Sequence, residues 1–310
     1  MQPAQHEAAD TTAKLMLVLL SFCWGLTWPA MRVALGEIPV FSMRTVSLGL
    51  GALTLVIVVA AQRRKVMMPN ATAWAHVFVA AILNIVGFSL LSSFALLQAA
   101  TSRVAILSYT MPIWAALFAW LVLGERFNRA RIVALALCVA GMAVLIAPLA
   151  GAGIPIGLLL ALGTGVSWAA GTVYLKWARV DADPLAIAAW QLVVAFAVTI
   201  AGLLAFEGSL HLWPVHPPAL LALVFAALVG SALAYILWFE IVRRLPATTA
   251  SLGVLSAPVV GAVASMLMLG ERPTVADYIG FALTLAAAAC VVLAPNARSA
   301  KLAPIEPTAP

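Results

Sequence analysis

The chain has 310 residues, of which 65% are hydrophobic and only 9% are charged, and its formal net charge is +6. A soluble domain carries about 25% charged residues, so this composition excludes an ordinary soluble domain and predicts a protein of the lipid bilayer. The basic balance fits a membrane topology and does not require a nucleic-acid partner. Cys23, Cys138 and Cys290 fall in three predicted helices without disulfide or metal spacing, and we interpret them as apolar packing residues.

Ten apolar stretches are each about long enough to cross a bilayer as a helix. In chain order they cover residues 14–34, 40–61, 74–97, 102–123, 130–148, 155–177, 184–206, 217–239, 248–269 and 274–294. Their apolar residues do not alternate with polar ones, as barrel strands would require. The predicted fold class is therefore an all-α membrane protein with ten transmembrane helices. A polar tail, 1–13, precedes them, and the proline-rich tail 295–310 is predicted to be disordered.

The fourth and ninth stretches share a motif. Pro112 stands 12 residues before Gly124, which is followed by Glu125, and Pro258 stands 12 residues before the Gly270-Glu271 pair. The two copies are offset by 146 residues. A motif repeated in one frame indicates an internal duplication, which predicts one five-helix repeat over 14–148 and a second over 155–294.

The distribution of basic residues predicts the orientation. With the N-terminus in the cytoplasm, 13 of the 17 Lys and Arg residues fall on the cytoplasmic side and 4 on the other. The positive-inside rule then places both termini in the cytoplasm. Because five is an odd number, the second repeat must cross the membrane in the opposite sense to the first. Inverted repeats of this kind are a recurrent design of secondary transporters, with the substrate near the midplane.

Polar and aromatic residues near the predicted membrane centre are candidates for substrate contact. In the first helix, Trp24 and Trp28 are four residues apart and share a face, although Trp24 is equally consistent with packing. Asn84 either bridges helices or faces a wet cavity, and His76 lies either at headgroup level or at a cavity mouth. The later helices add further candidates: Trp168, Tyr174 and Tyr235.

The paired prolines predict helix kinks. Pro112 cannot donate to the Ser108 carbonyl, which leaves that carbonyl and the Tyr109 hydroxyl available to a ligand. Pro258 repeats this arrangement near Ser256. Unwound backbone at membrane depth is tolerated where it lines a cavity, so we expect these two helices to border a transport site.

Other classes of site lack support in the sequence. No acidic residue lies at a predicted membrane centre, so we expect an uncharged cavity. There is no nucleotide-binding loop, metal-ligand motif or hydrolase motif, and we expect no catalytic residue, metal or cofactor. The second helix carries Arg44 at its entry and is interpreted as peripheral, as are the fifth, seventh and tenth helices.

The ten helices, the Pro-x11-Gly-Glu endings and the Trp24 to Trp28 segment Trp-Gly-Leu-Thr-Trp resemble the EamA-type ten-helix branch of the drug/metabolite transporter superfamily. The likeness covers about residues 14–295. The resemblance implies an exporter of small metabolites, often amino acids, with helices 1, 3, 4, 6, 8 and 9 around a central cavity. The many aromatic residues at cavity positions are similar to those of aromatic amino-acid exporters.

The leading hypothesis is a multi-pass secondary transporter of the inner membrane. It exports a small neutral metabolite, such as an amino acid, by alternating access. Its expected partners are a small-molecule substrate and the lipid bilayer, with no nucleic acid; the sequence does not indicate its oligomeric state, ion coupling or direction. The alternatives are a channel, a non-transporting scaffold, or a carrier of another small metabolite.

Overall fold

The structure, a computed structural model, describes residues 3–124, 129–149, 155–244 and 254–293. Every long regular element within these ranges is a helix. We label the helices α1 Pro3–Ala34, α2 Val40–Ala61, α3 Ala71–Gln98, α4 Thr101–Leu123, α5 Arg129–Ile146, α6 Ile156–Ala178, α7 Pro184–Glu207, α8 Pro217–Phe225 continuing through Ala226–Leu233 to Ala234–Arg244, α9 Ser256–Leu269 and α10 Val275–Leu293. In the following, α1 to α5 are the first half and α6 to α10 the second half.

The helices have the length and composition of membrane spans. Within the described ranges, seven are long and apolar enough to cross a bilayer, and three shorter ones, Ile132–Ile146, Ser256–Leu269 and Val275–Cys290, are also apolar. Large apolar side chains are exposed on the outer surface, as a lipid environment requires; Leu267 is 81% exposed. The chain is a multi-pass membrane protein.

The first helix begins earlier than the sequence indicated. Residues 3–13 were expected to form a polar tail, but they are helical in the structure. This segment is rich in the helix formers Ala, Gln and Glu. It starts at Pro3, where the N–H that proline lacks would have no acceptor within the helix. The expected disordered tail 295–310 and the motif residue Glu125 lie outside the described residues.

The two halves interlock rather than standing side by side. α5 packs along α10, α2 along α7 and α1 along α9, while α6 packs on α3 and α4. Each of these pairs joins the first half to the second. A space between the halves is therefore bordered by helices from both.

Glycines end α4 and α9 in the same way. Gly124 has φ 66° and ψ 20°, and Gly270 has φ 67° and ψ 22°. This left-handed conformation is free of steric cost only for glycine. The two motif glycines, which are 146 residues apart, thus both end their helices in the left-handed conformation.

Acidic side chains from the second half cap helices of the first. The Glu271 carboxylate accepts hydrogen bonds from the backbone N–H groups of Thr101 and Ser102 at 2.5 and 3.0 Å, at the start of α4. Beside this cap, Arg103 donates to both carboxylate oxygens of Asp277, at 2.5 and 3.0 Å. Free N–H groups at a helix start attract anions, so these contacts fix α4 against α9 and α10.

The two prolines, Pro112 and Pro258, each stand in the first turn of a helical segment. α4 is interrupted at Tyr109 and Thr110, and its second segment, Met111–Leu123, has Pro112 in its first turn. α9 begins at Ser256, so Pro258 is also in a first turn. Proline is tolerated there because the first N–H groups of a helix have no intrahelical acceptor.

Candidate substrate-binding cavity

A central cavity of about 580 Å³ lies between the two halves. Its size falls in the range of small-molecule sites, about 300 to 1,000 Å³. The described residues that line it come from both halves. They belong to seven helices, α1, α2, α3, α4, α6, α7 and α8, and to the two residues just before α9. The helices expected to surround the cavity do contribute, but α2 and α7, which were interpreted as peripheral, also line it.

Two helices are locally widened to π-helix at the cavity itself. The π segments are Ile82–Gly87 in α3 and Ala226–Leu233 in α8. Asn84 and Gly230, which are 146 residues apart, lie inside these segments and both line the cavity. A π-turn shifts backbone hydrogen bonding from the fourth to the fifth preceding residue and is frequent at functional sites.

Aromatic rings form much of the cavity wall. The ring centroids of Trp28 and Phe88 are 6.4 Å apart, and those of Phe88 and Trp168 are 5.2 Å apart, both edge-on. On another part of the wall, Trp24 and Trp238 approach to 5.8 Å. Such rings offer faces and edges on which a planar apolar ligand can stack.

Two side-chain amides in the cavity wall have an acceptor without a partner. Oδ1 of Asn84 and Oε1 of Gln191 are buried and accept no hydrogen bond from the described residues. The two side chains are 8% and 5% exposed. Buried polar atoms are normally hydrogen-bonded, and exceptions occur at functional sites. Each of these two side chains therefore has an unused acceptor beside the cavity.

A cation also lines the cavity. Arg44 of α2 is 7% exposed, and its Nε donates to Ser93 Oγ at 2.6 Å while Nη2 donates to Ser92 Oγ at 2.9 Å. The expectation of an uncharged cavity is thus wrong. Arg44 lies one turn inside α2, where its long side chain turns inward to the α3 hydroxyls instead of outward to the headgroups.

The structure brings together most of the candidates from the sequence. Six candidate substrate-contacting residues and one proline line the cavity, namely Trp24, Trp28, Asn84, Tyr109, Trp168, Tyr235 and Pro112.

The remaining candidates lie elsewhere in the fold. His76 Nδ1 and the Tyr174 hydroxyl are hydrogen-bonded to each other at 2.8 Å, in a cluster with Trp177 apart from the cavity. Ser256 donates to Ser21 Oγ at 2.7 Å and so bridges α9 to α1. Pro258 is buried but is not among the residues that line the cavity.

Ser108 is also away from the cavity, against expectation. Its hydroxyl donates to the Val104 carbonyl at 2.8 Å, and the side chain is fully buried. A side chain on Gly165 of α6 would come within 3.1 Å of the Ser108 carbonyl oxygen. Because Gly165 has none, α6 packs directly over the carbonyl that was expected to face a ligand.

Comparison with known proteins decides the family. The profile described as the EamA-like transporter family matches residues 11–147 and again residues 155–293. The chain belongs to the EamA-like transporter family.

Relatives of this EamA-like protein are named as transporters. It is 30% identical over 284 residues to an uncharacterized transporter, YvbV, of Bacillus subtilis (strain 168), covering 91% of this chain and 92% of the relative. It is 27% identical over 187 residues to a probable amino-acid metabolite efflux pump of Salmonella typhimurium, covering 57% and 61% of the two chains. A solved crystal structure matches with a TM-score of 0.61 and 24% identity, over 90% of this chain and 96% of that one, and supports the fold.

Sequence reasoning missed several residues of the EamA-like cavity. Arg44, Gln191, Phe88 and Trp238 line it but were not candidates. For Arg44 the signal was present, because an ionisable residue inside a membrane helix is a functional candidate by default. For Phe88, nothing in the sequence distinguishes a cavity phenylalanine from a lipid-facing one.

Proposed function

We propose that this EamA-like protein is a secondary transporter that exports small amino-acid-like metabolites across the inner membrane by alternating access. The observation that carries the proposal is the central cavity between the halves, with aromatic walls and two amide oxygens that have no partner among the described residues. A binding site near the middle of two interlocking halves is the arrangement that alternating access requires. The name of the Salmonella relative supports an amino-acid-like substrate.

The cavity favours a substrate with an apolar, aromatic body. Trp28, Phe88 and Trp168 lie in contact around it, and stacked or edge-on ring pairs each contribute about 0.5 to 1.5 kcal/mol beyond simple burial. Aromatic amino acids are the substrates that use these rings best, so we infer that they are moved faster than small polar ones.

We further propose ten membrane spans in two inverted repeats with both termini in the cytoplasm. The same family profile matches each half, which supports the duplication. The matching left-handed glycines at the ends of α4 and α9 support it also. The 13 to 4 distribution of basic residues supports the orientation.

Reconstitution in liposomes tests the proposed function. Purified protein is assayed for uptake of each standard amino acid, with and without a pH gradient. We expect saturable uptake and counterflow, strongest for the aromatic amino acids. Flux that never saturates and shows no counterflow would indicate a channel, and the absence of any flux would contradict a transporter of amino acids.

A further inference from the structure

Arg44 differs from the other charged side chains that the structure describes within membrane-spanning helices. It is the one charged residue among the described residues that line the cavity. Arg103, by comparison, is paired with Asp277, whereas no described acidic residue forms an ion pair with Arg44. The hydroxyls that it contacts are neutral, so the positive charge is uncompensated.

The guanidinium of Arg44 is held in a defined orientation. Ser92 and Ser93, which accept its hydrogen bonds, are fully buried and each donates in turn to the Ser89 carbonyl, at 3.1 and 2.9 Å. These contacts use the Nε and Nη2 groups. Within the described residues Nη1 has no acceptor, so the edge formed by Nη1 and Nη2 remains for another group.

That remaining edge has the chemistry of a carboxylate receptor. Two parallel N–H groups of a guanidinium match the two oxygens of a carboxylate, and such bidentate pairs are among the strongest hydrogen-bonded contacts in proteins. A buried cation without an anion is costly in a membrane protein. A ligand carboxylate would remove that cost, and a ligand ammonium group would increase it.

The wall next to Arg44 fits the rest of such a ligand. Asn84 and Phe88 of α3 both line the cavity, and Ser92 lies one helical turn beyond Phe88. Ser92 holds Arg44 at one end, Phe88 contacts Trp28 and Trp168 in the middle, and Asn84 lies at the other end. The positive charge of Arg44, the aromatic rings around Phe88 and the amide of Asn84 therefore follow one another along the cavity.

We propose that Arg44 binds a carboxylate of the transported molecule, and that the substrate is an aromatic compound bearing that carboxylate. This inference rests on the proposed function, because it assumes that the cavity is the substrate site. The carboxylate lies at the Arg44 end, and the aromatic body lies against Phe88 and its neighbouring tryptophans. The class includes aromatic amino acids and simple aromatic acids, and it excludes aromatic compounds that carry an amine but no carboxylate.

Three probes with one indole ring and different charges test the assignment. Binding of indole-3-acetate, L-tryptophan and tryptamine to the purified full-length protein in lipid nanodiscs is measured by isothermal titration calorimetry. We expect the two carboxylates to bind about tenfold or more tighter than tryptamine. In the Arg44→Gln variant, the carboxylates should no longer bind more tightly than tryptamine. The Arg44→Lys variant keeps the positive charge but lacks the paired N–H groups of a guanidinium. It should bind the carboxylates more weakly than wild type but still more tightly than tryptamine.

A surface arginine provides the matched control. Arg64→Gln also removes one positive charge, but Arg64 is an exposed partner of Asp183 outside the cavity, so the three affinities should be unchanged. Tryptamine binding as tightly as the two carboxylates, or unchanged discrimination in Arg44→Gln, would overturn the role of Arg44 and leave the proposed function standing. Failure of the wild-type protein to bind any of the three probes would overturn this inference, and uptake of other amino acids in liposomes would then leave the proposed function standing. Should Arg44→Gln not fold, Arg44→Lys carries the test, and a reversed order of the probes in it would contradict the proposal.

Discussion

At the residue scale, Trp168 lines the cavity and packs edge-on against Phe88, which also contacts Trp28. We expect Trp168→Ala to lower the initial rate of substrate uptake in proteoliposomes about tenfold, since it removes a stacking surface. Trp213→Ala is the control, because Trp213 is 86% exposed and does not line the cavity. Equal uptake by the two variants would mean that the substrate does not use this wall.

Gln191 allows function to be separated from stability. Its side chain is 5% exposed, and its Oε1 has no partner among the described residues. Gln191→Met has a similar volume and removes a buried acceptor that costs about 1 to 3 kcal/mol when unsatisfied. We expect an unchanged or higher melting temperature together with slower transport. A loss of both would show that the amide is a structural group.

The candidate residues that line the cavity share two properties. Each has a bulky or polar side chain, and counting residues from the helix ends places each of them near the middle of the membrane. That count works for Asn84 and Trp168. It fails for Arg44, because a side chain of that length near a helix end can extend either to the headgroups or to the interior. It fails for Ser108 because the packing of α6 through Gly165 has no signature in the sequence of α4.

At the scale of the helices, Gly171 of α6 sets the approach of α6 to the π segment of α3. A Cβ at this position would lie 2.8 Å from the Asn84 backbone nitrogen, which cannot move without displacing α3. We expect Gly171→Ala to lower both the melting temperature and transport, because the helices must separate and carry Asn84 with them. Gly163→Ala on the same helix is the control, since its new Cβ would meet only Leu91 side-chain carbons at 3.4 Å or more. Equal melting temperatures for the two variants would contradict this account.

Glu271 should stabilise the start of α4 from the opposite half of the chain. Glu271→Gln removes the negative charge and one of the two oxygens that accept from Thr101 and Ser102, and loss of a helix cap costs up to about 1 kcal/mol. We expect a lower melting temperature in thermal unfolding monitored by circular dichroism. Asp181→Asn, a change at an exposed loop carboxylate, should leave the melting temperature unaltered. A Glu271→Gln variant as stable as wild type would show that the cap is dispensable.

Helix positions were predictable where proline, glycine or charge interrupts the apolar runs. The predicted range 40–61 coincides with α2, and Asp183 caps α7 at its expected start, accepting from the N–H groups of Leu185 and Ala186. The π segments were not predictable, because a single glycine in each of Ile82–Gly87 and Ala226–Leu233 does not distinguish them from α-helix. Their widening is a property of packing between helices.

At the scale of the whole molecule, the proposed inverted topology predicts that the α2–α3 loop and the α7–α8 loop lie on opposite sides of the membrane. Arg64→Cys and His216→Cys are made separately in a variant lacking Cys23, Cys138 and Cys290. We expect a membrane-impermeant maleimide to label the His216→Cys protein in intact cells and the Arg64→Cys protein only after permeabilisation, because the basic 63–65 loop is on the cytoplasmic side in the proposed topology. Labelling in the reverse order would contradict the orientation.

The all-helical membrane architecture of the molecule follows from composition, and the family comparison agrees with a membrane transporter. The pairing of helices does not follow, because α5 with α10 or α1 with α9 are contacts between residues far apart in the chain. Interfaces of small residues, such as Gly25 against Ala257 and Val260, determine which helices meet. Such residues are frequent throughout this sequence and so identify no partner by themselves.

The tryptophans of the cavity have a spectroscopic consequence. Trp24, Trp28, Trp168 and Trp238 border one space, and they are four of the ten tryptophans in the chain. Indole emission responds to the polarity of its surroundings and to nearby quenchers, so a molecule entering the cavity should shift and dim a large part of the intrinsic fluorescence at once. The protein thus carries its own optical reporter of occupancy, and compounds of any chemical class can be screened for binding without a label or a transport assay.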